Sequence, residues 1–358
     1  MSPCCTDWLA YARTLKCNLI LSTALAAAAQ LPLSTAAAAA ETATGRSVTF
    51  HGEILADSDI SAASLLHGML VIGADEAVGA KANENYIQLL KQDESGNYRT
   101  VSNILVYRGD KQSGQELDIE GFAVDGDRLY VIGSHSLARK RFKESGSYEE
   151  NLKRLTQVKQ ENSRYQLFRL TMDATNQVTG RDRISLAAIF NNDPLLSRFT
   201  TIPGKENGID IEGIAAKDGL LYLGFRGPVL RDGYVPVMQL AFEHPAESYK
   251  LLFVNLAGRG IRDMAAVSDG FLILAGPVGD EQVSYQLLHW NGQDCLTGNN
   301  HTGKLQLLTE ITPPAGGKAE GVALLSETAQ AYELLIVFDG ARNGAPVRHT
   351  IKRPGLKQ

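Results

Sequence analysis

The sequence predicts an all-β fold, a β-propeller of five blades with six blades as the alternative. Three observations predict it. First, a short motif recurs: Asp118-Ile119-Glu120-Gly121 leads through an apolar pair and a turn to a strand ending at Gly133, and Asp210-Ile211-Glu212-Gly213 leads likewise to a strand ending at Gly224. Degenerate copies begin at Arg262-Asp263-Met264-Ala265 and Ala319-Glu320-Gly321-Val322, and a weaker one runs from Ser61 through Leu70-Val71-Ile72-Gly73. Repetition at roughly 50–60 residues points to a propeller or solenoid array. Second, a later strand repeats as well: Tyr86-Ile87-Gln88-Leu89, Tyr165-Gln166-Leu167-Phe168 and Tyr285-Gln286-Leu287-Leu288 share one aromatic–polar–apolar pattern. Third, the last unit lacks an outer strand, and residues 47–55 at the other end of the chain supply one.

Apolar runs of five to eight residues, separated by Gly, Asp and Asn turns, are strand signals. The first unit reads as strands over 61–66, 69–74, 86–91 and 101–107, and the second over 119–124, 128–133, 165–172 and 183–190. The third gives 211–216, 220–225, 235–242 and 249–256, and the fourth 262–267, 271–276, 285–290 and 304–311. The fifth has 321–325, 332–338 and 347–351 before the chain ends. Closing it with the N-terminal strand ties the termini together and removes the open sheet edge a ring would otherwise expose. Residues 136–164 read as a charged helical insertion in blade two, with Tyr148, Leu152, Leu155 and Val158 at helical spacing on one face that packs onto the blade edge.

Residues 1–40 read as a cleaved signal peptide: Arg13 and Lys16 form a basic start, Leu19 to Leu33 an apolar stretch, and Ala36 to Ala40 the small residues of a cleavage site. The apolar run falls short of the ~20 residues a membrane span needs. Residues 41–358 are then the propeller, expected to be periplasmic or secreted, with no membrane span after cleavage and a monomeric state. Cys4, Cys5 and Cys17 precede the cleavage site, which leaves Cys295 alone and no internal disulfide. A net charge of -5 argues against non-specific nucleic-acid binding.

In a propeller the first strand of each blade lines the central channel, so the residues at its start ring one mouth. Here these are Asp59 and Ser61, Asp118 and Glu120, Asp210 and Glu212, Asp263, and Glu320. The second strand returns to the same face, where it carries Asp75, Glu76, His135, Arg226 and Asp339. Converging carboxylates do not all stay ionised without a cation, and hard oxygen donors suit calcium or magnesium. The candidate metal ligands are Asp118, Asp210, Glu212, Asp263 and Glu320. Arg226, Arg231, Arg262, Lys205 and Lys318 could instead neutralise the acids, and the arginines could clamp an anionic group. A third role is purely structural, with each carboxylate holding backbone N–H groups of the next blade. There is no Gly-x-Ser-x-Gly elbow, His-Glu-x-x-His, Walker loop or CxxC pair. Asn300-His301-Thr302 fits a glycosylation sequon.

The Asp-Ile-Glu-Gly pair and the segment Gly224-Phe225-Arg226-Gly227-Pro228-Val229-Leu230-Arg231 resemble an uncharacterised family of secreted bacterial proteins known as a domain of unknown function. That resemblance covers most of residues 41–358 and implies no established activity. More distantly, the Glu-Gly-hydrophobic-Ala strand is similar to that of esterase-like phytase propellers, a resemblance that implies acidic loops holding calcium and ligand at the channel mouth. No long Asp-rich calcium run accompanies it.

Three functions are therefore open. The first is an exported propeller that binds an anionic small molecule or a protein partner at the channel mouth. The second is a metal-dependent phosphoester or carboxylic ester hydrolase. In it Glu120, Glu212, Asp263 and Glu320 hold a cation or water, Arg226 stabilises developing charge and His135 shuttles protons. The third is a scaffold with no ligand.

Overall fold

Apolar runs between turn residues become strands because their side chains fill both faces of packed sheets. The computed structural model describes residues 45–110, 116–298, 300 and 302–355. The proposed signal segment, its three cysteines and the central residue of the sequon lie outside them. The chain opens with two short strands, β1 (Gly45–Ser47) and β2 (Phe50–His51). Blade one holds β3 (Ile60–Leu66), β4 (Met69–Ala74), β5 (Glu84–Gln92) and β6 (Tyr98–Arg108). Blade two holds β7 (Ile119–Asp125), β8 (Arg128–Gly133), β9 (Leu167–Met172) and β10 (Val178–Ile184). Blade three holds β11 (Asp210–Lys217), β12 (Leu220–Gly227), β13 (Tyr234–Leu240) and β14 (Lys250–Asn255). Blade four holds β15 (Gly260–Val267), β16 (Gly270–Gly276), β17 (Tyr285–Trp290) and β18 (Leu305–Ile311). Blade five holds β19 (Lys318–Glu327), β20 (Ala331–Asp339) and β21 (Val347–Lys352).

Every blade is an antiparallel meander, and β3, β7, β11, β15 and β19 pack side by side around a ring of five. That ring excludes the six-bladed alternative. Blade five is completed by β1, which pairs antiparallel with β21 from Gly45↔His349 to Ser47↔Val347. The closing strand is thus shorter and earlier than residues 47–55. Phe50–His51 instead adds a parallel fifth strand beside β6.

Second strands such as β8 and β12 are apolar almost throughout, because blades cover them on both faces. Outer strands such as β10 meet solvent and alternate. Tight turns join the inner pairs: His67-Gly68 and Asp218-Gly219 both place two successive residues at positive φ, the geometry of a type I′ hairpin. Between blades three and four, Tyr222, Phe271 and Trp290 form one cluster of tilted rings, with Tyr222–Phe271 and Phe271–Trp290 centroids 4.3 Å and 5.2 Å apart. The glycine of the recurring motif marks close approach: a Cβ at Gly213 would meet Ile261 and Met264 at 3.0 Å, and one at Gly321 would meet Val337 at 2.5 Å.

Two expectations fail in blade two. Residues 183–190 do not form its outer strand. That strand ends at Ile184, and the chain turns into α2 (Ala187–Asn192), which buries Ile189 and Phe190. The insertion contains one nine-residue helix, α1 (Tyr148–Thr156), whose apolar stripe is not packed on the blade. Tyr148 is 75% exposed, Leu152 43% and Leu155 49%. Local polar bonds hold this helix instead. A Ser147–Glu150 capping box closes its N-terminus, and Asn151 Nδ2 donates to the Lys143 carbonyl at 2.9 Å. No helix among the described residues is long and apolar enough to cross a membrane.

Candidate functional site

The same irregularity occurs at the start of all five inner strands. Pairing slips by one residue between Ile60 and Ala62, Ile119 and Gly121, Ile211 and Gly213, Ile261 and Asp263, and Ala319 and Gly321. A bulge leaves one residue unpaired and re-aims its side chain. The bulged residues are Ser61, Glu120, Glu212, Arg262 and Glu320. Two residues earlier, each blade presents Asp59, Asp118, Asp210, Gly260 or Lys318. Directly after the pairing partner on the second strand come Asp75, Ser134, Arg226, Gly276 and Asp339. Three rings of polar side chains therefore stack at one mouth, five members in the bulge ring and four in each of the others, because blade four contributes only Arg262.

These rings and the adjacent loops enclose a cavity of about 250 Å³. Ten carboxylates and six cationic side chains line it. The lining arginines are already paired. Arg226 bonds Asp210 and Glu212 of its own blade. Arg164, from the end of the insertion, bonds Glu116 at 2.6 Å and Asp118 at 2.7 Å. Arg139 bonds Glu206 at 2.5 Å, and Arg141 bonds Asp280 at 2.6 Å. Lys318 bonds Asp339 at 2.5 Å, and Lys205 is exposed. Beneath the lining, buried Arg262 lies 2.9 Å from Glu212 and bonds Glu320.

Glu120 differs from its neighbours. It is 9% exposed, lines the cavity, and has no hydrogen-bond or ion-pair partner among the described residues. Oxygens of Glu120, Asp210 and Glu212 lie within 4.8 Å of one another. Asp210 gives Oδ2 to Arg226, while its buried Oδ1 has no partner. Burial, then the charges of Asp118 and Glu212, push the Glu120 carboxyl well above its ordinary range. Burial also raises Asp210 and Glu212, against the opposing pull of Arg226. It pushes Glu320 up to about 7 against the pull of Arg262, and Glu116 to about 7 with Asp118 adding to the rise.

Glu120, Glu212, Arg226, Asp118, Asp210, Glu320 and Lys318 thus gather at one cavity, with Arg262 just below. Three sequence assignments change. Asp263 occupies the glycine position of the motif, one residue past the ring, and is fully buried. It accepts from Met264 N at 2.7 Å and Val322 N at 2.6 Å, so backbone amides occupy it rather than a metal. His135 turns away from the mouth at φ 53° and is 1% exposed. Its Nδ1 faces the Gly133 carbonyl at 2.8 Å, and its Nε2 accepts from Leu186 N at 3.4 Å. Tyr165 and Phe190 pack edge-on against the ring. Burial drives its pKa down to about 4, which keeps it neutral and away from any proton relay at the mouth. Arg231 is exposed in a turn after β12 and does not line the cavity.

Sequence reasoning put Asp75 and Asp339 at the mouth, as second-strand ends in the same register as Arg226, without giving them a role, and it left Glu116 and Arg164 outside the site. Glu116 and Arg164 carry no such signal, because the insertion brings Arg164 back to the mouth only in three dimensions.

The class is thus a five-bladed β-propeller with a charged, carboxylate-rich channel mouth. Within that class, residues 59–351 match the model of the family described as Protein of unknown function (DUF3616), and the chain belongs to that family. No curated protein matches it by sequence. Among solved structures, it is similar to an exo-β-1,3-galactanase from Phanerochaete chrysosporium bound to β-1,3-galactotriose, at 8% identity and TM-score 0.43, covering 87% of this chain and 63% of that one. It is also similar to a hypothetical protein from Leishmania major, at 13% identity and TM-score 0.44, covering 87% and 91% of the two chains. A glucose dehydrogenase matches at 12% identity and TM-score 0.36, covering 81% and 78%. Likenesses this distant carry no argument about what this chain does.

Proposed function

We propose that the channel mouth binds a divalent cation, calcium or magnesium, and through it an anionic ligand, in an exported protein that works as a monomer in the periplasm or outside the cell. The observation that supports it is Glu120: nine-tenths buried, without a partner, and converging with Asp210 and Glu212, one of whose oxygens is likewise unsatisfied. A cation there supplies the charge that Arg226, with Arg262 shared between Glu212 and Glu320, leaves short. It also explains how a mouth with ten carboxylates would take an anion, since its arginines are already paired. Hydrolysis of a phosphoester or carboxylic ester is the enzymatic form of this proposal, with the cation as Lewis acid and Arg226 beside the developing charge.

Thermal unfolding with EDTA, calcium, magnesium and phosphate added in turn tests it, because a ligand of the native state raises the midpoint by mass action. A rise with either cation that Glu120→Gln diminishes supports the proposal. No rise with either cation overturns it. A second proposal, a scaffold, is favoured by Arg262, which pins two blade seams without any ligand.

A further inference from the structure

The five seams between blades are not filled alike at the mouth. Arg262 fills the seams on both sides of blade four by reaching Glu212 and Glu320. The seam between blades one and two is closed by Ser61 Oγ donating to the Ile119 carbonyl at 2.5 Å. Two seams remain with carboxylates from both sides: blades two and three, where Glu120 sits, and blades five and one.

We propose that the seam between blades five and one holds a second cation site, built from Asp59, Asp75 and Asp339. Oxygens of these three residues lie within 4.8 Å of one another. Asp75 Oδ1 is sealed from solvent and has no hydrogen-bond partner, although its carboxyl faces a cluster of acids. Asp59 makes no ion pair among the described residues, and Asp339 commits only Oδ2, to Lys318. A buried carboxylate oxygen with nothing to accept is costly, and Lys318 answers only one of the three charges. Its side chain is 41% exposed, so an entering cation can displace it toward solvent. Three carboxylates with water completing the shell make a hard oxygen site suited to calcium.

Asp75 and Asp339 line the same cavity as Glu120. Two cations facing one cavity would take an oxyanion between them, with a phosphate ester as the substrate class. This extension rests on the proposed cation site at Glu120. The second site does not.

Isothermal titration of the full chain with calcium separates the two. The expected result is two equivalents in the wild type and one in each of Asp75→Asn and Glu120→Gln, with at least tenfold weaker binding of the missing equivalent. Wild-type titration by Asp75→Asn overturns the second site. So does a single wild-type equivalent that Glu120→Gln abolishes and Asp75→Asn keeps, although the first site then stands. A single equivalent lost in Asp75→Asn and kept in Glu120→Gln upholds the second site and sinks the first. No calcium binding sinks both. Each variant is checked by its unfolding midpoint without calcium. If Asp75→Asn fails to fold, the half-buried Asp59→Asn takes its place, with the same outcomes.

Discussion

Arg262 of blade four bonds Glu320 of blade five from a position that is 2% exposed, while its Nε lies 2.9 Å from Glu212 of blade three. One guanidinium therefore pins three consecutive blades. Removing one partner of a buried pair leaves uncompensated charge, at a cost of about 3–5 kcal/mol. Arg262→Ala is expected to lose about that much, measured by denaturant unfolding. A loss below about 1 kcal/mol would show that water reaches this network.

Asp263→Ala is expected to destabilise by at least about 2 kcal/mol, since the carboxylate holds two backbone amides, one of them in blade five. Its calcium response is expected to match the wild type. Loss of that response with stability unchanged would return Asp263 to the metal ligands.

Glu120→Gln is expected to raise stability in cation-free buffer at pH 8, because a neutral amide avoids the charge that burial and the neighbouring carboxylates disfavour. The displacement of Glu120 is upward, so its ionised form opposes folding. Calorimetry in EDTA reads the difference, and a destabilised variant would mean that the carboxylate has a partner.

The pH dependence carries a definite sign. Glu320 and Glu116 are raised from 4.5 to about 7, so the native state holds their protons more tightly than the unfolded state does. Their contribution is fully present below pH 4.5 and is lost as pH rises through about 7. The unfolding midpoint in EDTA is expected to fall over that window. A cation-free midpoint that climbs between pH 4.5 and 7 would contradict this.

Leu152→Gln is expected to change stability by less than about 0.5 kcal/mol, because the side chain is 43% exposed and packs on no blade. A loss of about 2 kcal/mol or more would restore the packed stripe that its spacing predicts.

The motif Asp-Ile-Glu-Gly was enough to locate the mouth. Its Asp and Glu flank an apolar residue that must point into the blade, and its Gly stands where the next blade's inner strand comes close. Blade four shows where such reading stops. The run Arg262-Asp263-Met264 aligns on its acid when read as a string, yet the bulge puts Arg262 on the ring and Asp263 at the glycine position. One residue of register exchanges a channel cation for a buried amide acceptor.

His135 teaches the same lesson. Its strand-end position was visible, but the left-handed turn that carries it under α2 was not. α2 itself was hidden, because Ala187 to Phe190 continues the apolar run of a strand.

By itself the sequence determined the repeat, the shared mouth and the need for an N-terminal strand to complete the last blade, while the ring of inner strands settled five blades against six and placed that strand at Gly45–Ser47. The first three follow from strand periodicity and turn chemistry, which are local. Only the tertiary structure decided which carboxylates are neutralised: Arg164 and Arg262 meet their partners across 46 and 58 residues of chain. Coulomb interactions depend on distance in space and on the water excluded between the charges, and neither is written in the spacing of the chain.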